Sequence, residues 1–428
     1  MDFFNYKDGS LHCEAVPAHV IASAVGTPCY VYSRATLVEH HRRIAEAFAA
    51  VKPLICYSVK SCGNLSVCRT LVECGAGMDV VSGGELFRAR AAGASPSTIV
   101  YAGVGKRDDE IGAALDAGIY LLNVESEEEF ENIARIARAR NVTCECALRI
   151  NPDVDPHTHR FTTTGTKETK FGVDIERARA FFRSYGRDPH ARLVGLHLHI
   201  GSPVYETAPY VEAVRKALAL RDELIAEGFV VSVLDLGGGF AADYETGRSP
   251  AAADYARAIV PLLVPAVTAG LRIILEPGRS IAANAGILLT RVQYVKRSGD
   301  KTFAICDAGM NALLRPSHYD AFHFIWPTDP APKFVPTGRT ENPEIPGLVS
   351  MDVVGPLCET GDYLALDRSM PPVVRGDLLA IYTAGAYGMS MASRYNSSPL
   401  PAEVLVDGDK FSTVRRRETY EDLIAHER

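Results

Sequence analysis

The chain has 428 residues, of which 47% are hydrophobic and 23% charged, the composition of an ordinary globular protein long enough for two domains. Its formal charge of −7 argues against a nucleic acid or an anionic membrane as partner. No apolar run is long enough to span a bilayer, and the ten cysteines are scattered without a paired framework, which predicts reduced thiols in a cytoplasmic protein.

The opening stretch MDFFNYKDGS is acidic and polar. It lacks the charged and apolar regions of a secretory leader, so none is expected. Residues 1–33 read as short strands. From residue 55 to about residue 280 one unit recurs: an apolar run, a polar or glycine-rich turn, then an Ala-rich helical pattern. The predicted strands are Ile55–Lys60, Gly77–Val81, Thr98–Ala102, Ile119–Asn123, Glu145–Ile150, Val194–Ile200, Val231–Leu236 and Arg272–Glu276. Between them the periodicity predicts helices over Leu65–Glu73, Gly84–Ala92, Asp108–Ala117, Ser126–Arg140, Ile175–Gly186, Ala208–Glu227 and Ala252–Ala269. Strands alternating with helices imply parallel pairing, and eight such units imply an α/β fold, a (β/α)8 barrel, over residues 34–280. Cys56, Cys62, Cys68 and Cys74 recur every six residues, and Cys144 and Cys146 form a CxC. Neither pattern has the partners of a zinc site, so both read as small buried side chains and no metal is expected.

The connection Asn151–Lys170 is long, polar and Thr-rich, a candidate lid over the barrel mouth. After Arg279 helical periodicity fades. Short strand-like runs follow at Gly286–Lys296, Thr302–Ile305, Leu348–Val354, Leu378–Tyr382 and Ala402–Val406, separated by Pro-rich stretches such as Trp326–Pro346. Residues 281–428 are therefore expected to form a β-rich C-terminal domain, which residues 1–33 join. The tail Arg415–Arg428 begins with three arginines and turns acidic, the pattern of a solvated helix.

Barrel enzymes place their chemistry at the C-terminal ends of the strands. Here the first strand ends at Lys60, within ICYSVKSCGN. A lysine at the mouth of an apolar strand is partly desolvated, which favours the neutral, nucleophilic amine that reacts with an aldehyde. On this segment alone, a surface lysine closing a strand is the simpler reading. The second strand carries Asp79 and leads to Ser82, Gly83, Gly84 and Glu85, and the fifth carries Arg149. The sixth runs into His199, Gly201 and Ser202, the seventh into Gly237, Gly238 and Gly239, and the eighth into Glu276, Pro277, Gly278 and Arg279.

Three consecutive glycines let backbone N–H groups approach an anion closely, though alone they are as readily a tight turn. The last two loops are the usual phosphate site of such barrels. A phosphate site beside a strand-end lysine suggests a phosphorylated aldehyde cofactor, pyridoxal phosphate. Glu276 could then keep the pyridine nitrogen protonated, where the bland alternative is a capping or ion-paired glutamate. His199 could stack on the ring. His197, deeper in the barrel, ranks as core.

Further motifs join these: RPSHY at Arg315–Tyr319, CETGD at Cys358–Asp362, AYG at Ala386–Gly388 and the RRRET tail. With HIGS at His199–Ser202, GGGF at Gly237–Phe240 and EPGR at Glu276–Arg279, the chain resembles the fold type III PLP-dependent decarboxylases over nearly its whole length. That family pairs an alanine-racemase-like barrel with a C-terminal β-domain. The resemblance implies that Lys60 bonds the cofactor covalently. It implies that Asp79, Arg149, His199, Ser202, Gly237–Gly239, Pro277, Gly278, Arg279 and Tyr387 line the cofactor pocket, that Glu276 meets the pyridine nitrogen, and that Cys358 donates the proton that follows loss of CO2. Substrate choice is expected to rest on Arg279, Arg315, Tyr319, Glu359 and Tyr387. Two arginines and a glutamate suit a substrate with a second amino-acid group at its far end, as in meso-2,6-diaminopimelate. The family's Cys–Glu loop reaches the neighbouring subunit, so a homodimer with shared sites is expected.

The chain departs from the family pattern at Ser58, Ser61 and Cys62, where YAxKAN is common, and at Pro203, where glutamine is usual. Its Tyr395–Leu400 segment lacks arginines often found there. Four other readings stay open. A sister decarboxylase would act on ornithine, arginine or a carboxy-polyamine, leaving Arg315 and Glu359 without a task. An amino-acid racemase would place arginine, not glutamate, at the pyridine nitrogen. A non-catalytic PLP-binding protein would not need Cys358, and an aldolase-like barrel would leave the glycines and Glu276 idle.

Overall fold

The computed structural model describes residues 2–155 and 170–427. By its contacts the chain divides into two compact units. His40–Ala241 and Pro250–Ser280 form the first, a closed barrel. Its strands are β1 (Leu54–Ser58), β2 (Gly77–Val80), β3 (Ile99–Tyr101), β4 (Leu121–Val124), β5 (Cys144–Asn151), β6 (Ala191–His197), β7 (Val233–Asp235) and β8 (Arg272–Leu275). Each runs parallel to its neighbours, β8 beside β1, and the β4–β5 pairing completes the circle. Strands covered on both faces read apolar throughout, which is why these runs stand out in the sequence.

Helices α1 (Leu65–Glu73), α2 (Gly83–Ala91), α3 (Asp108–Ala117), α4 (Glu127–Arg140), α5 (Ile175–Tyr185), α6 (Ala208–Ala226) and α7 (Ala252–Thr268) follow β1 to β7 in turn. Their starts are set by side chains. Asn64, Ser82, Ser126 and Asp174 each accept a backbone N–H from the first turn of the helix they precede. Gly118 and Asn141 close α3 and α4 in the left-handed conformation. The stretch proposed as a lid lies, over residues 156–169, outside the described residues.

The second unit comprises Met1–Glu39, Ala242–Ser249 and Ile281–Arg428. Its spine is the strand Gly286–Ser298, antiparallel to Cys29–Ser33, Leu378–Ile381 and Lys301–Cys306. Beyond Lys301–Cys306 lie Val349–Val354 and Tyr363–Met370. Cys29–Ser33 runs parallel to Ala402–Asp407, which pairs with Lys410–Arg415. The N-terminal residues thus share a sheet with the C-terminal ones. Several features differ from the sequence reading. Residues 1–33 hold a helix, Ala18–Val25, among their strands. Tyr363–Met370 is an additional strand. In the tail, the helix shrinks to Tyr420–Leu423, and the run up to Arg415 is a strand instead. Among the described residues no helix is long and apolar enough to cross a membrane.

Candidate active site

Inside the barrel the strands change character with a period of two. A buried apolar layer draws Cys56, Val100, Leu121, Ala147, Val194, Val233 and Ile274 from seven of the eight strands. Two residues on, on the same face of the chain, Cys56 gives way to Ser58, Leu121 to Asn123, Ala147 to Arg149, Val233 to Asp235 and Ile274 to Glu276. All five polar groups are buried. The site is built on that second layer.

Lys60 stands in a short 3-10 turn, Val59–Ser61, just past β1. Its Nζ lies 3.1 Å from Asp79 Oδ2, the lysine about a third exposed and the aspartate fully buried. The Ser58 hydroxyl donates to the same oxygen at 2.5 Å, and Asp79 Oδ1 is buried with no hydrogen-bond partner among the described residues. Ser58 and Ser61 both face Gly278: a Cβ there would sit 2.8 Å from Ser58 Cβ and 3.2 Å from Ser61 Cβ. Two of the three departures from the family's lysine motif are thus packed against EPGR.

After β7 the three glycines fold tightly under the strand ends. Gly237 and Gly239 hold φ of +64° and +97°. An added Cβ would come within 2.2 Å of the Leu198 carbonyl oxygen at Gly237, of Glu276 at Gly238 and of Gly201 at Gly239, so only glycine fits. His199 Nδ1 accepts the Gly238 N–H at 3.3 Å. Burial, then the positive charges of Arg149 and Lys60, hold the His199 imidazole well below its usual pKa. Arg279, almost fully buried, donates from Nε to Ser202 Oγ at 3.1 Å. A bare glycine turn, an arginine and a hydroxyl make a cradle suited to a phosphate.

Arg149 pairs with Glu125 at 2.8 Å, both buried, and lies over the Phe171 ring. Burial, the largest influence, raises the Glu125 carboxyl, yet Arg149, His197 and Lys106 together leave Glu125 below the ordinary value. Glu276 is different. Burial, then the Asp79 charge, pushes its carboxyl up to about 8. His197, beside it at 3.4 Å, is driven down to about 4, chiefly by burial. The histidine ranked as core is indeed buried, but it borders Glu276. Asn123 reaches both Asp235 Oδ2 (3.1 Å) and Glu276 Oε1 (3.2 Å). The sequence reading missed Asn123, Asp235 and Glu125. The two-residue step from the apolar layer would have found the first two.

The β-rich unit carries the other predicted residues. Arg315 is buried, donates to Tyr244 Oη at 2.8 Å and lies 4.9 Å from that ring's centre. Tyr319 packs edge-on to His318. Tyr387 holds φ of +57°, a conformation costly for a tyrosine and common at sites where geometry is imposed. Cys358 and Glu359 are exposed. Their loop hangs on Asp362, which accepts from Leu357 N at 2.7 Å and Met310 N at 2.6 Å. The Glu359 carboxylate beside Tyr395 raises the phenol's pKa.

A strand-end lysine on a buried carboxylate, a phosphate cradle, and a buried glutamate ready to face a basic nitrogen define a barrel for a phosphorylated pyridine aldehyde. Asp79 Oδ1 and Asn123 Oδ1, buried without partners among the described residues, fit a site made to receive polar atoms. A family model described as pyridoxal-dependent decarboxylase, pyridoxal binding domain, matches residues 34–283. The chain belongs to the pyridoxal-dependent decarboxylases, and its cofactor is pyridoxal phosphate. The relatives narrow the class. Diaminopimelate decarboxylase of Pseudomonas aeruginosa is 44% identical over 430 residues, covering 100% of this chain and 99% of that protein. The crystal structure of diaminopimelate decarboxylase from Helicobacter pylori complexed with L-lysine matches with a TM-score of 0.88 at 39% identity, covering 96% of this chain and 98% of that one. The enzyme from M. jannaschii in co-complex with L-lysine matches at 0.91 and 34%, covering 99% and 97%.

Proposed function

We propose that the protein decarboxylates meso-2,6-diaminopimelate to L-lysine and CO2, the last step of bacterial lysine biosynthesis. The observation that carries this reading is the donor set, which suits both ends of one substrate. Residues 34–280 serve as the cofactor domain, and residues 281–428, with 1–33, carry substrate groups. Bound pyridoxal phosphate supplies an electron sink that accepts the electron pair left when CO2 departs. Lys60 is the nucleophile that takes up the cofactor aldehyde, with Asp79 as its counter-charge. Arg149, His199, Ser202, Gly237–Gly239, Pro277, Gly278, Arg279 and Tyr387 orient the cofactor, and Glu276 holds a proton on its ring nitrogen.

Cys358 is the acid. Its thiol gives a proton to the carbon that has lost CO2, and the thiolate recovers one from solvent. At the far end, Arg279 and Arg315 offer guanidinium forks for the carboxylate, Glu359 accepts from the ammonium, and Tyr319 and Tyr387 add hydroxyls. Exposure of Cys358 and Glu359 supports a homodimer in which this loop completes the neighbouring subunit's site. Ten cysteines scattered along the chain without a paired framework support work in the reducing cytoplasm.

Incubation of the PLP-loaded protein with meso-diaminopimelate, L-ornithine and L-arginine in parallel tests the assignment. Lysine and CO2 are expected from diaminopimelate alone. CO2 from ornithine or arginine would move the protein to a sister decarboxylase, and cofactor absorbance without any CO2 would make it a carrier.

A further inference from the structure

At the top of the barrel two carboxyl groups share one buried space. Asp235 ends β7 and Glu276 follows β8, with exposures of 0% and 4%. With His197 they present atoms that all lie within 4.8 Å of one another, and Asn123 Nδ2 reaches an oxygen of each carboxyl, at 3.1 and 3.2 Å. The other charges on the surrounding strands are already matched: Arg149 by Glu125 at 2.8 Å and Lys60 by Asp79 at 3.1 Å. His197, held down to about 4, is neutral near pH 7. Among the described residues no lysine or arginine pairs with Asp235 or Glu276. Two adjacent anions in so dry a place are prohibitive, so the pair must hold a proton.

The surroundings say where it sits. Glu276 is the member that feels Lys60 and Arg149, which lower its pKa. Its Oε1 accepts from Asn123 Nδ2 at 3.2 Å, and its Oε2 faces His197 Nε2 at 3.4 Å. Burial first, and then the Glu276 charge, hold the Asp235 carboxyl well above its usual range. We propose that Asp235 remains a protonated acid that donates to Glu276, so that once the cofactor's ring nitrogen is in place the single negative charge of the pair rests on Glu276. The inference rests on reading Glu276 as the partner of the ring nitrogen, and it deepens that reading. Asp235 is then a positioning residue acting through two contacts. One is its bond to Glu276. The other is Oδ1, which accepts the Gly237 N–H at 2.9 Å and pins the first turn of the glycine loop. One side chain thus sets the ionisation at one end of the cofactor site and the backbone at the other.

Infrared spectroscopy of Asp235→Asn, Asp235→Ala and Glu276→Gln, with PLP titration of the cofactor-free forms, tests this. The loaded wild-type protein should show the carbonyl stretch of a buried protonated carboxylic acid. The band should survive E276Q and vanish in D235N. D235N supplies a permanent neutral donor toward Glu276 and keeps Oδ1 for the Gly237 N–H. Its PLP affinity should stay within about threefold of wild type, whereas D235A, which leaves buried groups unsatisfied, should lose about 10- to 100-fold. A band that persists in D235N, or is missing from the wild type, overturns the proposal. Should PLP fail to bind the wild type at all, the cofactor reading fails instead, and the band in the cofactor-free protein still reports the shared proton.

Discussion

Glu276 illustrates how burial at one residue becomes a pH dependence of the whole protein. Its carboxyl rises from 4.5 to about 8 on folding, so the folded state prefers the protonated form. That preference stabilises the cofactor-free protein fully below about pH 4.5 and is lost as pH rises through 8. Denaturant titrations of the cofactor-free protein should show this loss across that window, and E276Q should flatten it. Glu125 behaves oppositely, as the counter-charge of Arg149. E125Q leaves a buried guanidinium unpaired and should cost about 3 kcal/mol or more, read as a lower denaturation midpoint. Lys60, Glu276 and Arg279 were legible in the sequence because each ends an apolar run. Asn123 and Asp235 are as central to the geometry. They passed unnoticed because an amide or acid inside a strand announces nothing until its neighbours across the barrel are known.

Between residue and molecule stand the loops. Gly355–Asp362 is a turn whose shape depends on one buried acid. Asp362 gathers Leu357 N and Met310 N, and so ties the loop carrying Cys358 to the stretch leading to Arg315. Asp362→Ala should lower kcat about 10- to 100-fold while leaving PLP affinity of the barrel near wild type. Equal losses in both would mean general unfolding. Element by element, the barrel strands were readable because both their faces are buried. Tyr363–Met370 was not, since Asp367 with φ of +48° and shifts in register against Val349–Val354 break its alternation. The Gly408-Asp409 turn, with Gly408 at φ +64°, is a hairpin signal. It marks Lys410–Arg415 as a strand despite the arginines that made the tail look like a helix.

At the scale of the molecule, the proposed shared-site homodimer makes a sharp prediction. Lys60→Ala and Cys358→Ala should each be inactive alone. In randomly mixed dimers one site in four would regain both groups, so activity should recover to about a quarter of wild type. No recovery would place Cys358 in its own chain's site. The sequence by itself determined the eight-fold alternation, the strand-end lysine, the glycine triplet and the carboxylate after the last strand, because periodicity and strand ends are local properties of a chain. Only the tertiary structure decided which ionisable groups face one another. Charge balance among Lys60, Asp79, Arg149, Glu125, Asp235 and Glu276 depends on strands as much as 218 residues apart meeting in a space too dry for an unmatched charge. No local pattern records that.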